Sequence, residues 1–330
     1  MGRHFKQKES NCTMLSRFSK KHPIWFSILV IALFLVVNVV ASSVWYLCTM
    51  TSPMTQNADA YDYLGLIVTD AAVIAVMLLI LWRTHRLNLM KGQGASLRTC
   101  VSVSAFKLVY TALLVVMIIL DCTNNDMTFR PFGMILLFIF LMFVVAMAEE
   151  LMCRAIISET MLEHFGLDAK SVRKAALLSG ALFGCLHLLN ALSSDPLAAI
   201  GQSFANIAAG FMLAAIYFRS GSMWTVVIVH ALNNIGAAMA NGFFEIATEQ
   251  AAEGATVLGS AVNDLQLATV LVQFVLQMIV GFFLLRDKKN PDVQKLWSKQ
   301  IPAKTADAEQ APAESAEAEQ APVESTNDAE

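Results

Sequence analysis

Apolar runs long enough to cross a bilayer recur eight times along the chain, at residues 24–47, 64–82, 101–120, 132–148, 175–192, 197–218, 223–240 and 265–285. A hydrocarbon core about 30 Å thick takes about 20 mostly apolar residues of helix per crossing. Inside it every backbone group must be satisfied within the protein, so each run predicts a helix. The expected fold class is therefore all-α, a polytopic membrane helical bundle with about eight transmembrane helices. The first run follows a basic tail, as a signal peptide would, but it is too long for a signal core and no clear small-residue cleavage site follows it, so it reads as a retained anchor. The third is the most polar. Ser102, Ser104 and Lys107 occupy its first two turns, and Lys107 is expected to snorkel toward the headgroups.

Charge alternates between the runs. Arg3, Lys6, Lys8, Arg17, Lys20 and Lys21 precede the first, whereas 50–63 beyond it holds Asp59 and Asp62 and no basic residue. Arg83, Arg86, Lys91 and Arg98 come next, then Asp121, Asp126 and a single Arg130. The alternation continues with Arg154, Lys170, Arg173 and Lys174, then Asp195, then Arg219, then acids alone in 241–264, and last Arg286, Lys288 and Lys289. Short cytoplasmic loops carry the excess of Lys and Arg. A multi-pass protein of the cell membrane with cytoplasmic N- and C-termini is the expected topology.

Three regions follow: a cytoplasmic basic tail at 1–23, the transmembrane bundle at 24–289, and a disordered cytoplasmic acidic Ala/Glu/Pro tail at 290–330. In the last, EQAPAES at 309–315 recurs as EQAPVES at 319–325, a composition that cannot bury a core. The chain is 56% hydrophobic and 15% charged, against about a quarter charged in soluble domains. Its charges sit in loops and tail rather than on one basic surface, so nucleic acid is not an expected partner. The six cysteines show no CxxC pair and no zinc-type spacing.

An ionisable side chain at a membrane helix centre costs about 2.5 to 3.5 kcal/mol, so each asks for a reason. Glu149, Glu150 and Arg154 close the fourth run, whose helix is expected to continue to about 163. Glu150 and Arg154 are spaced for an ion pair on one helix face. Glu149 is turned about 100° away and is free to point elsewhere. The bland reading is a pair of acids marking a helix end. Phe183 and His187 lie in the fifth run with Asn190 one turn on; a lone membrane histidine is often interhelical glue, worth about 0.6 kcal/mol. His230 and Asn234 share one face of the seventh, where a hydrogen-bonded packing contact is the plain alternative. Counted at about 1.5 Å per residue, His187 lies roughly 18 Å in from 175 and His230 roughly 10 Å in from 223, while Glu149 falls near the inner boundary. Tilt, a deeper fourth helix or an extension of the fifth must reconcile these depths, around a cavity open to the cytoplasm.

In order, these residues resemble the EExxxR, FxxxH and HxxxN motifs of the CAAX-protease and bacteriocin-processing (CPBP, or Abi) intramembrane proteases, over about 130–240. The resemblance implies an endopeptidase in which Glu149 and His187 position and deprotonate a water while His230 and Asn234 face the developing oxyanion. Glu150 and Arg154 become a supporting ion pair, and Phe183 packs. Its substrate would be a membrane-associated peptide or protein, with prenylated C-termini or peptide leaders processed in the family, and the lipid bilayer its other partner. The cofactor stays open between none and a divalent metal such as zinc held by Glu149, His187 and His230 with a fourth position for water. Members of the family have been described both ways, and there is no HExxH helix. Two other readings are a non-catalytic immunity or scaffold protein and a solute transporter, the latter without the internal repeats or broken helices usual in transporters.

Overall fold

Polar residues between the apolar runs start the helices. Thr13, Ser96, Asp168, Asp195 and Ser222 each accept a hydrogen bond from a backbone N–H two or three residues on, satisfying amides that have no partner inside the helix. Pro23 and Pro196 occupy first-turn positions, where a missing N–H costs nothing. The computed structural model describes residues 13–50, 58–125, 127–192, 195–245 and 259–301.

The helices are α1 (Met14–Lys21), α2 (Pro23–Thr49), α3 (Ala58–Arg83), α4 (Leu97–Asn124) and α5 (Phe132–Glu150). A π-helical segment, Leu151–Ser158, carries α5 directly into α6 (Glu159–Phe165). Then come α7 (Ala169–Leu186), a 3-10 turn at His187–Leu192, α8 (Pro196–Ser220), α9 (Met223–Ala237), the short α10 (Met239–Phe243), α11 (Gly259–Leu284) and α12 (Asn290–Trp297). Strands β1 (Thr128–Phe129) and β2 (Phe244–Glu245) pair antiparallel.

Contacts between segments define two ends. At one, Lys20 approaches Glu163 at 3.8 Å, Arg86 reaches Thr160 at 2.6 Å, Gly221 accepts from the amide of Gln93 at 2.7 Å, and Arg219 holds Asp292 at 2.7 Å. At the other, Arg130 pairs with Asp59, and β1 pairs with β2. Successive segments run in alternating directions between these ends. Among the described residues six helices are long and apolar enough to cross a membrane, or seven if Val270–Leu284 and the bent Asp287–Trp297 are one span. The expected count of about eight is not reached on length and hydropathy alone. The run at 223–240 breaks at Ala238, which leaves α9 with 15 residues, and α9 needs α10 and β2 to reach the far end.

Two further boundaries move. The segment from 132 extends as one 34-residue span to Phe165, and α7 begins at Ala169 rather than 175 because Val172, Ala175 and Ala176 bury one face while Lys170 and Lys174 stay exposed on the other. Glu149 and Glu150 therefore lie in mid-span, not at the inner boundary, which removes the mismatch in depth. The boundary drawn at 290 falls inside packed structure. Trp297 is fully buried on Tyr217 and Phe218 and donates its indole N–H to the Phe218 carbonyl at 2.9 Å. The hydrogen bond from Arg219 holds the Asp292 carboxyl below the usual carboxylate range. Residues 302–330, including the repeat, lie outside the described residues. Lys107 does not snorkel; it is buried and donates to Gln277 Oε1 at 3.0 Å.

From Ala208 to Ser220 every residue of α8 is buried, with α7 and α11 packed against it. The α7 crossing is backbone on backbone. A Cβ on Gly180 would lie 2.5 Å from the Phe211 nitrogen, and one on Gly184 2.6 Å from the Ile207 nitrogen. Small residues at four-residue spacing allow this approach in membranes, where van der Waals packing replaces the hydrophobic effect between helices. Gly180→Ala should lower stability in detergent by about 1–3 kcal/mol through overpacking. Gly201→Ala, whose Cβ would meet nothing within 4 Å, should leave the melting temperature unchanged or slightly raised.

Candidate active site

The last turn of α5 and the π-helical segment after it carry the first charged group of the site. Every residue from Leu151 to Ser158 is buried, so Arg154, with no exposed side-chain surface, must find its partners inside the bundle. Its Nη1 lies 3.0 Å from Glu150 Oε1, its Nη2 donates to the Gly210 carbonyl at 3.1 Å, and its guanidinium carbon stands 5.0 Å from the centre of the Phe183 ring. Gly210 reaches Arg154 because α8 lies so close to α7: a Cβ there would meet Gly180 Cα at 2.9 Å. π-helical turns are uncommon and gather at functional sites.

His230, on α9, sits between the two adjacent acids. Its Nδ1 is 2.7 Å from Glu150 Oε1 and its Nε2 is 3.5 Å from Glu149 Oε2. An ionised carboxylate only accepts, so beside the Glu150–Arg154 pair Nδ1 carries a proton and donates it. Glu149 keeps 23% of its side chain exposed, against 7% for His230 and none for Glu150. Glu149 therefore keeps open surface, whereas Glu150 is sealed.

Phe183 links His187 to this cluster. Its ring centroid is 4.9 Å from that of His187 and 5.8 Å from that of His230, edge-on to both. His187 ends α7 and opens the 3-10 turn, and its Nδ1 lies 3.0 Å from the Phe183 carbonyl. A carbonyl cannot donate, so Nδ1–H faces it and Nε2 lies on the opposite side of the ring. Asn234 stands one turn beyond His230 on α9, half-buried, and its side chain makes no hydrogen bond among the described residues. Asn190 instead bonds Gln202 at 2.8 Å.

Direct contact thus joins Glu149, Glu150, Arg154 and His230, with His187 joined through Phe183 and Asn234 adjoining along its helix. The cluster does not fit a bound metal ion. His230 directs both nitrogens at carboxylates and His187 directs one at a carbonyl. Among the described residues no three His, Cys, Asp or Glu side chains are placed to hold an ion. Glu149, His187 and His230 do not form a ligand set here.

Sequence reading missed Asp70. It is buried on α3, and its carboxyl interacts electrostatically with Glu149. The parallel helices α3 and α5 keep a fixed register, Tyr63 beside Phe138 and Arg86 beside Thr160, which sets Asp70 level with 144–145, about one turn from Glu149. An acid in mid-span is itself the signal, since membrane interiors rarely hold one without a role. Asn233, next to Asn234, was also passed over; its Oδ1 is buried without a partner among the described residues.

The architecture defines a polytopic helical membrane protein whose interior holds a cluster of acids and imidazoles. Residues 131–236 match the Rce1-like family model, type II CAAX prenyl endopeptidase, from just before α5 to the last turn of α9. All three motifs fall inside the matched segment. No curated protein and no solved structure matches the chain.

Removing one partner of a buried ion pair leaves the other charge stranded, at about 3–5 kcal/mol. Arg154→Met should cost about that much in stability, measured by denaturation in detergent. The double variant Arg154→Met with Glu150→Leu should recover a large part of the loss, because the stranded carboxylate is gone.

Proposed function

We propose that the protein is an intramembrane endopeptidase that hydrolyses a peptide bond of a membrane-associated peptide, lipidated or a leader, with a water activated by Glu149. The observation that carries this reading is the position of Glu149, a partly exposed acid beside His230 and next to a sealed Glu150–Arg154 pair. The Rce1-like match over 131–236 supports the reaction class.

His187 Nε2 accepts a hydrogen bond from the water and orients it. Glu149 removes one proton while the water oxygen adds to the scissile carbonyl carbon. His230, protonated on both nitrogens, has an acceptor on each side, Glu150 at Nδ1 and Glu149 at Nε2. When Glu149 takes the proton from water it ceases to hold Nε2–H, which turns to the developing oxyanion together with the Asn234 amide. Glu149 then passes its proton to the leaving nitrogen, the C–N bond breaks, and a carboxylic acid and an amine result. Glu150 and Arg154 position His230 without reacting. In this reading the protein lies in the cell membrane with both termini cytoplasmic, which the basic residues gathered at one end of the bundle support.

The test uses the full chain in nanodiscs with prenylated, leader-type and unmodified peptides. Glu149→Gln should slow cleavage by about 10²- to 10⁴-fold and Asn234→Ala by about 10²- to 10³-fold, with helical content unchanged. A chelator should leave the wild-type rate as it is. Cleavage of every peptide at the wild-type rate by Glu149→Gln would end the enzymatic reading and favour a scaffold.

A further inference from the structure

At the end of the bundle that carries the basic residues, α7 and α11 leave an open groove between them of about 540 Å³, lined by Lys170, Arg173, Lys174, Leu177, Leu178, Ala181 and Phe282. Its two halves differ in chemistry. Three cations from the first turns of α7 form the rim, and an apolar floor continues for two further turns toward the membrane interior.

Two of the cations are held in place by contacts outside the groove. Arg173 Nη1 donates to the Leu285 carbonyl at 3.2 Å and to Asp287 Oδ1 at 2.7 Å, and the Lys174 ammonium lies 4.1 Å from the centre of the Phe165 ring. Asp287 offsets one of the three charges. Asp168, the other acid at this rim, is engaged by the Lys170 and Ser171 amides. With the Asp168 carboxylate also counted, the rim keeps a net positive charge above apolar surface.

The groove does not lead to the candidate active site. Lys170, Lys174, Leu177, Leu178 and Ala181 recur at helical spacing along one face of α7, whereas Ser179, Gly180 and Phe183 are buried toward Cys153 and α8. A soluble anion has no use for the floor, and a bare hydrocarbon chain has none for the rim. An amphiphile with a negative head uses both.

We propose that this groove binds an anionic phospholipid, with its phosphate between Lys170, Arg173 and Lys174 and an acyl chain along Leu177, Leu178, Ala181 and Phe282. The bound lipid bridges α7, which ends in His187, to α11, and so braces the two helices that flank α8. The inference rests on the membrane fold alone, so it stands or falls separately from proteolysis.

The experiment titrates the purified full chain in detergent with phosphatidylglycerol, phosphatidylcholine or soluble glycerol phosphate, reading bound lipid by native mass spectrometry and the melting temperature. Phosphatidylglycerol should bind and raise the melting temperature, and the other two should not. Lys170→Gln with Lys174→Gln, both exposed and away from the core, should weaken that binding by about 30-fold, from the loss of two headgroup-level cations. Ala181→Trp, which fills the floor and leaves the rim intact, should abolish the shift. Equal response to the two lipids, reproduction of the shift by glycerol phosphate, or wild-type affinity in both variants would overturn the proposal.

Discussion

A guanidinium with no exposed surface sits in the middle of this bundle, and most of the surrounding structure serves to keep it there. Arg154 cannot lose its proton as a lysine could, so burial has to be met by acceptors. Glu150 supplies an opposite charge at 3.0 Å, the Gly210 carbonyl an acceptor at 3.1 Å, and the Phe183 ring a face at 5.0 Å. The second and third come from α8 and α7 and exist only while those helices touch through Gly180, Gly184 and Gly210. The electrostatic requirement and the glycine crossing are one constraint in two forms: separate the helices and the arginine loses two of its three partners.

That constraint orders the rest of the bundle. With α8 in the centre and α7 pressed on it, Phe183 is fixed, and His187 and His230 take positions at its edge. The short α9 is tied at its start by the Trp224 indole N–H to the Met90 carbonyl at 3.0 Å and beyond its end by β2 against β1. Fifteen residues would cross a bilayer poorly. Held between two polar tethers, they deliver His230 and Asn234 to mid-span. At the end where α8 leaves the membrane, Trp297 and the Arg219–Asp292 pair cover Tyr217 and Phe218, so the last turn of the central helix is closed by chain from beyond the spans.

The crossings and the three motif pairs were legible in the sequence because hydropathy and four-residue spacing are local signals. What escaped were features that depend on a partner. Lys107 looked free to reach the headgroups, and only the Gln277 amide on α11 shows why it stays inside. Lys170, Arg173 and Lys174 read as a loop because charge was counted without phase; they are the outer face of a helix whose inner face, Val172, Ala175 and Ala176, is buried. Trp297 sits in a polar stretch where composition gives no warning of a buried indole. Asp70 was visible as a mid-span acid but lies outside the three motifs, and its relation to Glu149 follows from the register of α3 on α5 rather than from any pattern within α3. The break that shortens α9 is hidden by the apolar residues on both sides of it.

Adjacent carboxylates on one helix end up with opposite duties for a reason that is purely angular. A step of about 100° per residue means that two neighbours cannot both lie in line with Arg154 on the face four residues on. Glu150 faces Arg154 and is sealed, with His230 Nδ1 as its other contact. Its charge is consumed by the fold. Glu149, turned away from Arg154, lies 3.5 Å from Nε2 of the same imidazole and keeps nearly a quarter of its side chain open. The imidazole stands between the two, Nδ1 toward Glu150 and Nε2 toward Glu149. A single carboxylate in this place could either hold the arginine or stay open; two in succession, turned apart by the helix itself, give one of each.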